Sequence, residues 1–482
     1  MNFEQLTKNY INGQWVSGKG SSYTLTNPYN DAELATFPIA TKAQLEEAYE
    51  AGNASYKAWA ADTNLRTEVL NKTIQYFIDN EEEIIKVLAV EAGSTFIKAK
   101  VEIDLTLACL KEALTYVDSL GGREVPMTMP GKVNKVYRKP LGVISSISPF
   151  NFPLFLSMRT IVPALALGNA VVHKGDIQTA LTGGTIMAKA FEEAGIPAGV
   201  FNVILTEIPE IGDTMIEHRH SKFISFTGST PVGRHIGKLA GGLLKPVALE
   251  LGGNAPLVVL KDANVDAAIN ASIFGKFLHQ GQICMMINRI VLHEDIYDAF
   301  VAKFVERAKQ LPIGDPLDPS TIIGPIINTR QLEKVQGFIE EAKTTGVEIL
   351  LDSRREGNIL TPAIFGNVFP DSRLAQTEFF SPVVSIIKAK SDEAAIEIAN
   401  NTEFGLSSAI FTADLEKGEQ LAADLEFGMT HVNDQTVNAI ENTPFGGVKG
   451  SGMGRFGNPW VIDEFTETKW VSIQIEERQF PF

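Results

Sequence analysis

Cysteine is scarce in this chain of 482 residues, which carries only Cys109 and Cys284. Two thiols cannot build a disulfide scaffold, so both are read as free and a reducing cytoplasm is expected. Basic charge is short as well: 42 Lys and Arg stand against 58 Asp and Glu, a net charge of −16. Phosphate attraction needs a basic surface, so neither nucleic acid nor an anionic membrane is an expected partner. A small anionic cofactor stays open, because a helix N-terminus holds a pyrophosphate without help from net charge. Apolar runs are broken early, and none reaches the ~18 residues of a membrane helix. Met1 to Tyr10 has no basic stretch leading into an apolar run, so no secretory leader is expected. Motifs are missing too. Without H-E-x-x-H or paired C-x-x-C, no metal is expected. Without G-x-x-x-x-G-K-[ST] or G-x-S-x-G, neither P-loop hydrolysis nor a serine elbow is expected.

What is present is chain enough for more than one core. The segment up to Leu120 reads mostly as helices. Thr41 and Gln44 suggest a capping box, followed by Leu45, Ala48, Tyr49, Tyr56 and Trp59 at helical spacing. Further helices are predicted over Leu65–Asp79, Glu82–Ala92 with Gly93 as stop, and Lys98–Leu120. Gly121–Pro130 breaks the pattern, and Val133–Tyr137 is strand-like. From Leu141 strands and helices alternate. Strands are predicted at Leu141–Ile147, Ala170–His173, Val200–Leu205 and Phe223–Phe226, with helices at Pro153–Leu167 and Thr179–Ala194. Such alternation predicts a mainly parallel sheet, with ligands beyond the carboxyl ends of its strands. A second block begins at strand Pro256–Leu260. Asp262 is expected to cap a helix reaching His279, and Ile290–His293 and Asp295–Lys309 follow as strand and helix. Later strands are expected at Val383–Lys388, Ser408–Phe411 and Thr430–Val432, separated by helices Asp392–Asn400 and Leu415–Glu426. The tail Lys469–Ile475 is again β-prone.

Four features could carry chemistry, and each has a plainer reading. Cys284 follows a predicted helix beside Gly281, where a thiol can meet a substrate, yet a lone Cys is often a small buried hydrophobe. Glu250 ends the apolar run Val247-Ala248-Leu249 before a glycine pair; it could be a general base or a carboxylate flanking a turn. Asn151 sits between a strand and a helix and could donate to an oxyanion or cap the helix. Phe226–Gly233 reads as strand, small turn and helix start, presenting N–H groups to a phosphate or making an ordinary βα turn.

Taken together, six stretches resemble the aldehyde dehydrogenase superfamily in family order: SPFNFP (148–153), FTGSTPVG (226–233), LELGG (249–253), GQIC (281–284), EFFSP (378–382) and PFGGVKGSG (444–452). The likeness is strongest to benzaldehyde- and vanillin-type enzymes, through HQGQICMMINR (279–289), VNDQT (432–436) and GRFG (454–457). The resemblance implies an α/β fold: a Rossmann-like cofactor domain (1–120 and 141–252), a catalytic domain (253–455), and a small β oligomerisation arm from 121–140 and 456–482. It implies a homodimer or homotetramer.

The resemblance also implies roles. Cys284 would attack the aldehyde, Asn151 would hold the oxyanion, and Glu250 would activate the water that hydrolyses the thioester to a carboxylic acid. Some local activation of the thiol is then expected. Members that pass the acyl group to coenzyme A typically lack the base, so Glu250 favours water. Cys109 is read as structural. Cofactor-binding residues would be Ile147, Ser148, Pro149 and Phe150, then Lys174, Asp176 and Gly212. Phe226, Gly228 and Ser229 would receive the pyrophosphate, with Thr227 also binding the cofactor. Leu251 and Gly252 would also bind the cofactor, and Glu378 and Phe380 would position the nicotinamide ribose and ring. NAD is the expected cofactor. NADP is the alternative, because Ile177 stands where many NAD-preferring relatives carry Glu. Phe152, Phe155, Arg159, Ile283, Met285 and Phe445 would line a pocket for a small aromatic aldehyde. An aliphatic or semialdehyde substrate, or a non-catalytic relative, is the other reading.

Overall fold

The structure, a computed structural model, describes residues 3–126, 129 and 131–482. Residues 1 and 2 of the segment read for a leader, and residues 127, 128 and 130 of the Gly121–Pro130 break, lie outside the described residues.

The amino-terminal segment corrects the helical reading of the chain's start. Asn9–Ile11 and Gln14–Val16 form a hairpin, and Ser22–Thr26 pairs with Glu33–Pro38. The first turn is Asn12-Gly13, both at positive φ, the chemistry of a tight hairpin. Helices then begin with Lys42–Ala61, where Gln44 Oε1 accepts the Thr41 N–H at 3.2 Å and Leu45, Ala48, Tyr49 and Trp59 face inward. Thr63–Asp79 and Glu81–Ala92 follow. The next helix, Phe96–Ala113, stops short of the predicted Leu120. Thr115 Oγ1 donates to the Glu112 carbonyl at 2.7 Å, and such local bonding competes with helix continuation.

The first large sheet runs in the order Gln14–Val16, Asn9–Ile11, Phe201–Val203, Ala170–Lys174, Val143–Ile147, Ser221–Thr227, Val247–Glu250, Gly452–Met453. Its five inner strands are parallel. Strand order reverses between Val143–Ile147 and Ser221–Thr227, the kind of switch point where open α/β sheets bind ligands. The helix Pro153–Ala166, which leaves this point, is buried along its whole length.

The second sheet has seven strands, ordered Glu348–Leu351, Ala363–Gly366, Val383–Ala389, Ile287–His293, Ala255–Val259, Ser407–Phe411, Met429–Val432. All its pairs are parallel except the first. Its helices include Val265–Phe277, Thr329–Thr344 and Asp392–Asn400. The predicted cap Asp262 is not one: Asn264 takes the Ala267 N–H at 3.1 Å, while Asp262 accepts from the Ala413 and Asp414 backbone and Thr412 Oγ1. That helix ends at Phe277 instead of His279, because His279 and Gln280 adopt left-handed φ of 51° and 56°. A third sheet pairs Thr466–Gln474 with Lys132–Pro140, and that strand with Gly121–Val125. Among the described residues no helix is long and apolar enough to cross a membrane.

Candidate active site

The two large sheets meet at one place from opposite ends. The first contributes the loops at the carboxyl ends of its strands: Ser148–Phe152 after Ile147, Gly228-Ser229 after Thr227, and Leu251-Gly252 after Glu250. The second contributes segments at the amino ends of its strands: Cys284 before Ile287 and Glu378–Phe380 before Val383.

Cys284 is delivered by a pinned loop. His279 and Gln280 sit in the left-handed region, which costs of order 1–3 kcal/mol each for side chains of this kind. Neighbours hold that shape: Gln280 Nε2 donates to the Gly93 and Pro325 carbonyls (3.2 and 2.9 Å), and Gln282 Oε1 accepts the Ile327 N–H at 3.0 Å. Gly253 packs so tightly beneath that a Cβ there would lie 2.1 Å from the Cys284 carbonyl oxygen. The thiol is partly exposed. Its surroundings push it up to about 12 through burial; Arg159 opposes this, while Glu250 and Glu378 add to it. Arg159 is the nearby cation that favours the thiolate.

Asn151 does not cap its helix. The N-cap position is Phe152, and Asn151 Nδ2 donates instead to the Gln282 carbonyl at 2.8 Å, two residues from the nucleophile. Glu250 is buried, and neither carboxylate oxygen has a hydrogen-bond partner among the described residues. Burial pushes it up to about 7, against Arg159 and Arg455, with Glu464 adding to the rise. A carboxylate poised near neutral pH can take a proton. Arg159 Nη2 lies 3.8 Å from Glu250 Oε2.

Two cavities open on Cys284, and Asn151, Leu156 and Cys284 form their shared wall. The larger, about 280 Å³, is lined by Phe152, Phe155, Arg159, Ile283, Met285 and Phe445, all six of the expected pocket residues. Val101, Leu105, Phe274, Leu278 and Val437 line it as well. Sequence reasoning missed these; Val101 and Leu105 lie four apart on a helix, a spacing that core packing also produces.

The smaller cavity, about 180 Å³, is lined by Pro149, Phe150, Thr227, Gly228, Ser229, Leu251, Gly252, Glu378 and Phe380, with Gln331 and Lys334 from an unforeseen helix. Gly228 lies so close to Phe226 that a Cβ would meet its ring at 2.4 Å. Ser229 leaves the first N–H groups of the Thr230–Gly242 helix uncapped by its side chain. Glu378 Oε1 accepts the Gly253 N–H at 2.9 Å, and burial pushes it up to about 7. Phe150 and Phe380 meet edge to face at 5.9 Å. A slot that reaches a helix N-terminus is a place where backbone N–H groups can meet an anionic group.

The remaining expected residues lie outside this cavity's lining. Ser148 N–H donates to the Lys174 carbonyl at 3.1 Å, tying the ends of adjacent strands together, and Ile147 is in register with Lys174. Lys174 Nζ donates to the Gly175 carbonyl at 3.2 Å, and burial lowers it. Asp176 caps the following turn through the Gln178 N–H (3.0 Å), while Ile177 packs into the core. Gly212 is exposed. Cys109 is buried, with its thiol pushed up to about 12 by burial.

The sequence pattern of the aldehyde dehydrogenase family matches residues 15–471, nearly the whole chain. The chain belongs to the aldehyde dehydrogenase family. Among its relatives, the benzaldehyde dehydrogenase YfmT of Bacillus subtilis is 45% identical, covering 100% of this chain and 99% of that one. A vanillin dehydrogenase of Corynebacterium glutamicum is 45% identical over 97% of this chain and 98% of its own. The crystal structure of a NAD-dependent benzaldehyde dehydrogenase from Corynebacterium glutamicum superposes with a TM-score of 0.90 at 42% identity, covering 99% of this chain and 98% of that one.

Proposed function

We propose that this aldehyde dehydrogenase oxidises an aromatic aldehyde of the benzaldehyde or vanillin kind to its carboxylic acid, with NAD as oxidant and water as the final acyl acceptor. One observation carries the reading: Cys284 lies in the wall between a phenylalanine-rich cavity and a slot ending on a helix N-terminus. The relatives named for benzaldehyde and vanillin support the aromatic class. The cavity supports it too, since Phe152, Phe155 and Phe445 offer ring faces and edges to a planar substrate. A semialdehyde carrying a carboxylate is disfavoured, because Arg159, the cation in the wall, already faces Glu250.

The residues then act in order. Cys284 loses its Sγ–H proton to solvent water, and Sγ bonds to the aldehyde carbon as the carbonyl π pair moves to oxygen. Asn151 Nδ2, held beside the nucleophile by its bond to Gln282, and the Cys284 N–H donate to the oxygen that becomes negative. NAD, when bound, supplies the acceptor for the hydride equivalent whose loss leaves a thioester on Cys284. Gly228 and Ser229 would hold its pyrophosphate, and Glu378 and Phe380 the nicotinamide end. Glu250 takes a proton from water as that water attacks the thioester carbon.

The proposal extends to architecture. Residues 1–120 and 141–252 serve the cofactor and 253–455 the nucleophile. The sheet of Gly121–Val125, Lys132–Pro140 and Thr466–Gln474, with its exposed edge strands, is an arm that adds to a second copy in a dimer or tetramer. A free catalytic thiol suits the reducing cytoplasm. The test is a panel of benzaldehyde, vanillin, hexanal and succinic semialdehyde with NAD and with NADP. The aromatic aldehydes with NAD should give the highest kcat/KM; a higher value for hexanal or succinic semialdehyde overturns the substrate class.

A further inference from the structure

The proposed chemistry leaves the buried charge beside Glu250 without a task. Arg159 projects from the Pro153–Ala166 helix with its guanidinium 4.3 Å from the Phe445 ring, 4.7 Å from Phe456 and 5.9 Å from Phe155. Rings at these distances hold a cation in place. Its Nη2 points to Glu250 Oε2 at 3.8 Å, with the two side chains only 8% and 2% exposed. That separation is Coulomb contact, yet it is too long for a hydrogen bond. Arg159 Nε and Nη1, and both Glu250 oxygens, have no hydrogen-bond partner among the described residues. The pair is thus matched in charge while the acceptor sites of the carboxylate stay open. The other charged or titratable groups facing Glu250 are Arg455 and Glu464 from the carboxyl-terminal segment, and Cys284 from the nucleophile loop.

We propose that Arg159 is a positioning residue for Glu250: it keeps the buried carboxylate ionised and drawn to one side without occupying the oxygens that must receive a proton. This rests on Glu250 as the deacylation base. In that step a water oxygen bonds to the thioester carbon, one water proton passes to the Glu250 carboxylate, and the C–S bond breaks with its electron pair left on Cys284 Sγ. Carboxylic acid, thiolate and protonated Glu250 result. A hydrogen-bonded arginine would hold the same charge but compete with the water for the carboxylate. A neutral residue would leave the buried carboxylate to take up a proton before any substrate arrives.

The experiment uses full-length protein, benzaldehyde at saturation and NAD, with rapid mixing across a pH series. The first NADH burst reports thioester formation and the steady rate reports deacylation. Arg159→Met should move the acidic limb of the steady rate upward by about one pH unit or more, a roughly fivefold loss at pH 7. Arg159→Lys should move the limb back towards its native position. A limb for Arg159→Met that overlies the native one overturns the assignment. A second readout needs no turnover. The protonated-carboxyl infrared band that Glu250→Gln removes should titrate at higher pH in Arg159→Gln than in native protein, and an unchanged midpoint overturns the assignment as well. A native protein that forms no NADH from any aldehyde overturns the function itself; native turnover with an unmoved limb overturns only the role of Arg159.

Discussion

The two sheets serve the same site in opposite ways. The first presents the carboxyl ends of Val143–Ile147, Ser221–Thr227 and Val247–Glu250, so its residues lie on short loops running into helix N-termini. Free N–H groups and close backbone approach come with that geometry, which suits an anionic ligand. The second presents the amino ends of Ile287–His293 and Val383–Ala389, where the chain arrives from a helix and must turn sharply. His279 and Gln280 take left-handed conformations there, and the side chains of Gln280 and Gln282 hold the loop. On the proposed reading the first side carries most of the cofactor contacts together with Asn151 and Glu250, and the second positions the nucleophile together with Glu378 and Phe380. Mutations should separate these roles.

The largest effect belongs to the positioning side. Cys284→Ala should abolish aldehyde oxidation while NAD still binds, measured by calorimetry; turnover in that variant would break the division. Next is Asn151, which belongs to the first sheet but is anchored to the loop of the second through Gln282. Asn151→Ala should lower kcat by roughly 10²–10³, the usual loss for one oxyanion donor. The glycines sharpen the contrast. Gly253→Ala puts a methyl against the Cys284 carbonyl, and a displaced nucleophile should lower kcat by up to about 10²-fold with little change in NAD affinity. Gly228→Ala puts one against Phe226 in the cofactor slot, and its effect should fall mainly on the KM for NAD. The smallest effect is that of pH. Glu250 is raised to about 7, so its base form is lost as pH falls through 7. The steady rate should then drop towards ~10-fold per pH unit on the acidic side. A flat rate between pH 5 and 8 would contradict that base.

The same contrast explains how much of the molecule is legible in its sequence. Strand–helix alternation gives the first sheet, and a small turn before Pro231 points to its phosphate end. Nothing in alternation says that the second sheet works from its amino ends. Cys284 gains meaning only from the motifs around it. Asp262 misleads as a cap because Asn264, two residues on, is an equally good one and the Asp262 carboxylate is taken by the backbone after Thr412. Gln331 and Lys334 lie on a helix whose Asn328 cap and apolar stripe of Leu332, Val335, Ile339 and Ala342 mark a packed helix but say nothing of the slot beside it. The Arg159–Glu250 pair joins a helix to a strand end, and side chains in tertiary contact leave no local signature.

Acyl transfer to Cys284 can be trapped most directly in Glu250→Gln. Mixed with NAD and benzaldehyde, quenched in acid and digested, this variant should yield one benzoyl group per chain on the peptide containing Cys284, with NADH released in equal amount before turnover stalls. Steady turnover with no adduct, or an adduct on Cys109, would contradict the account.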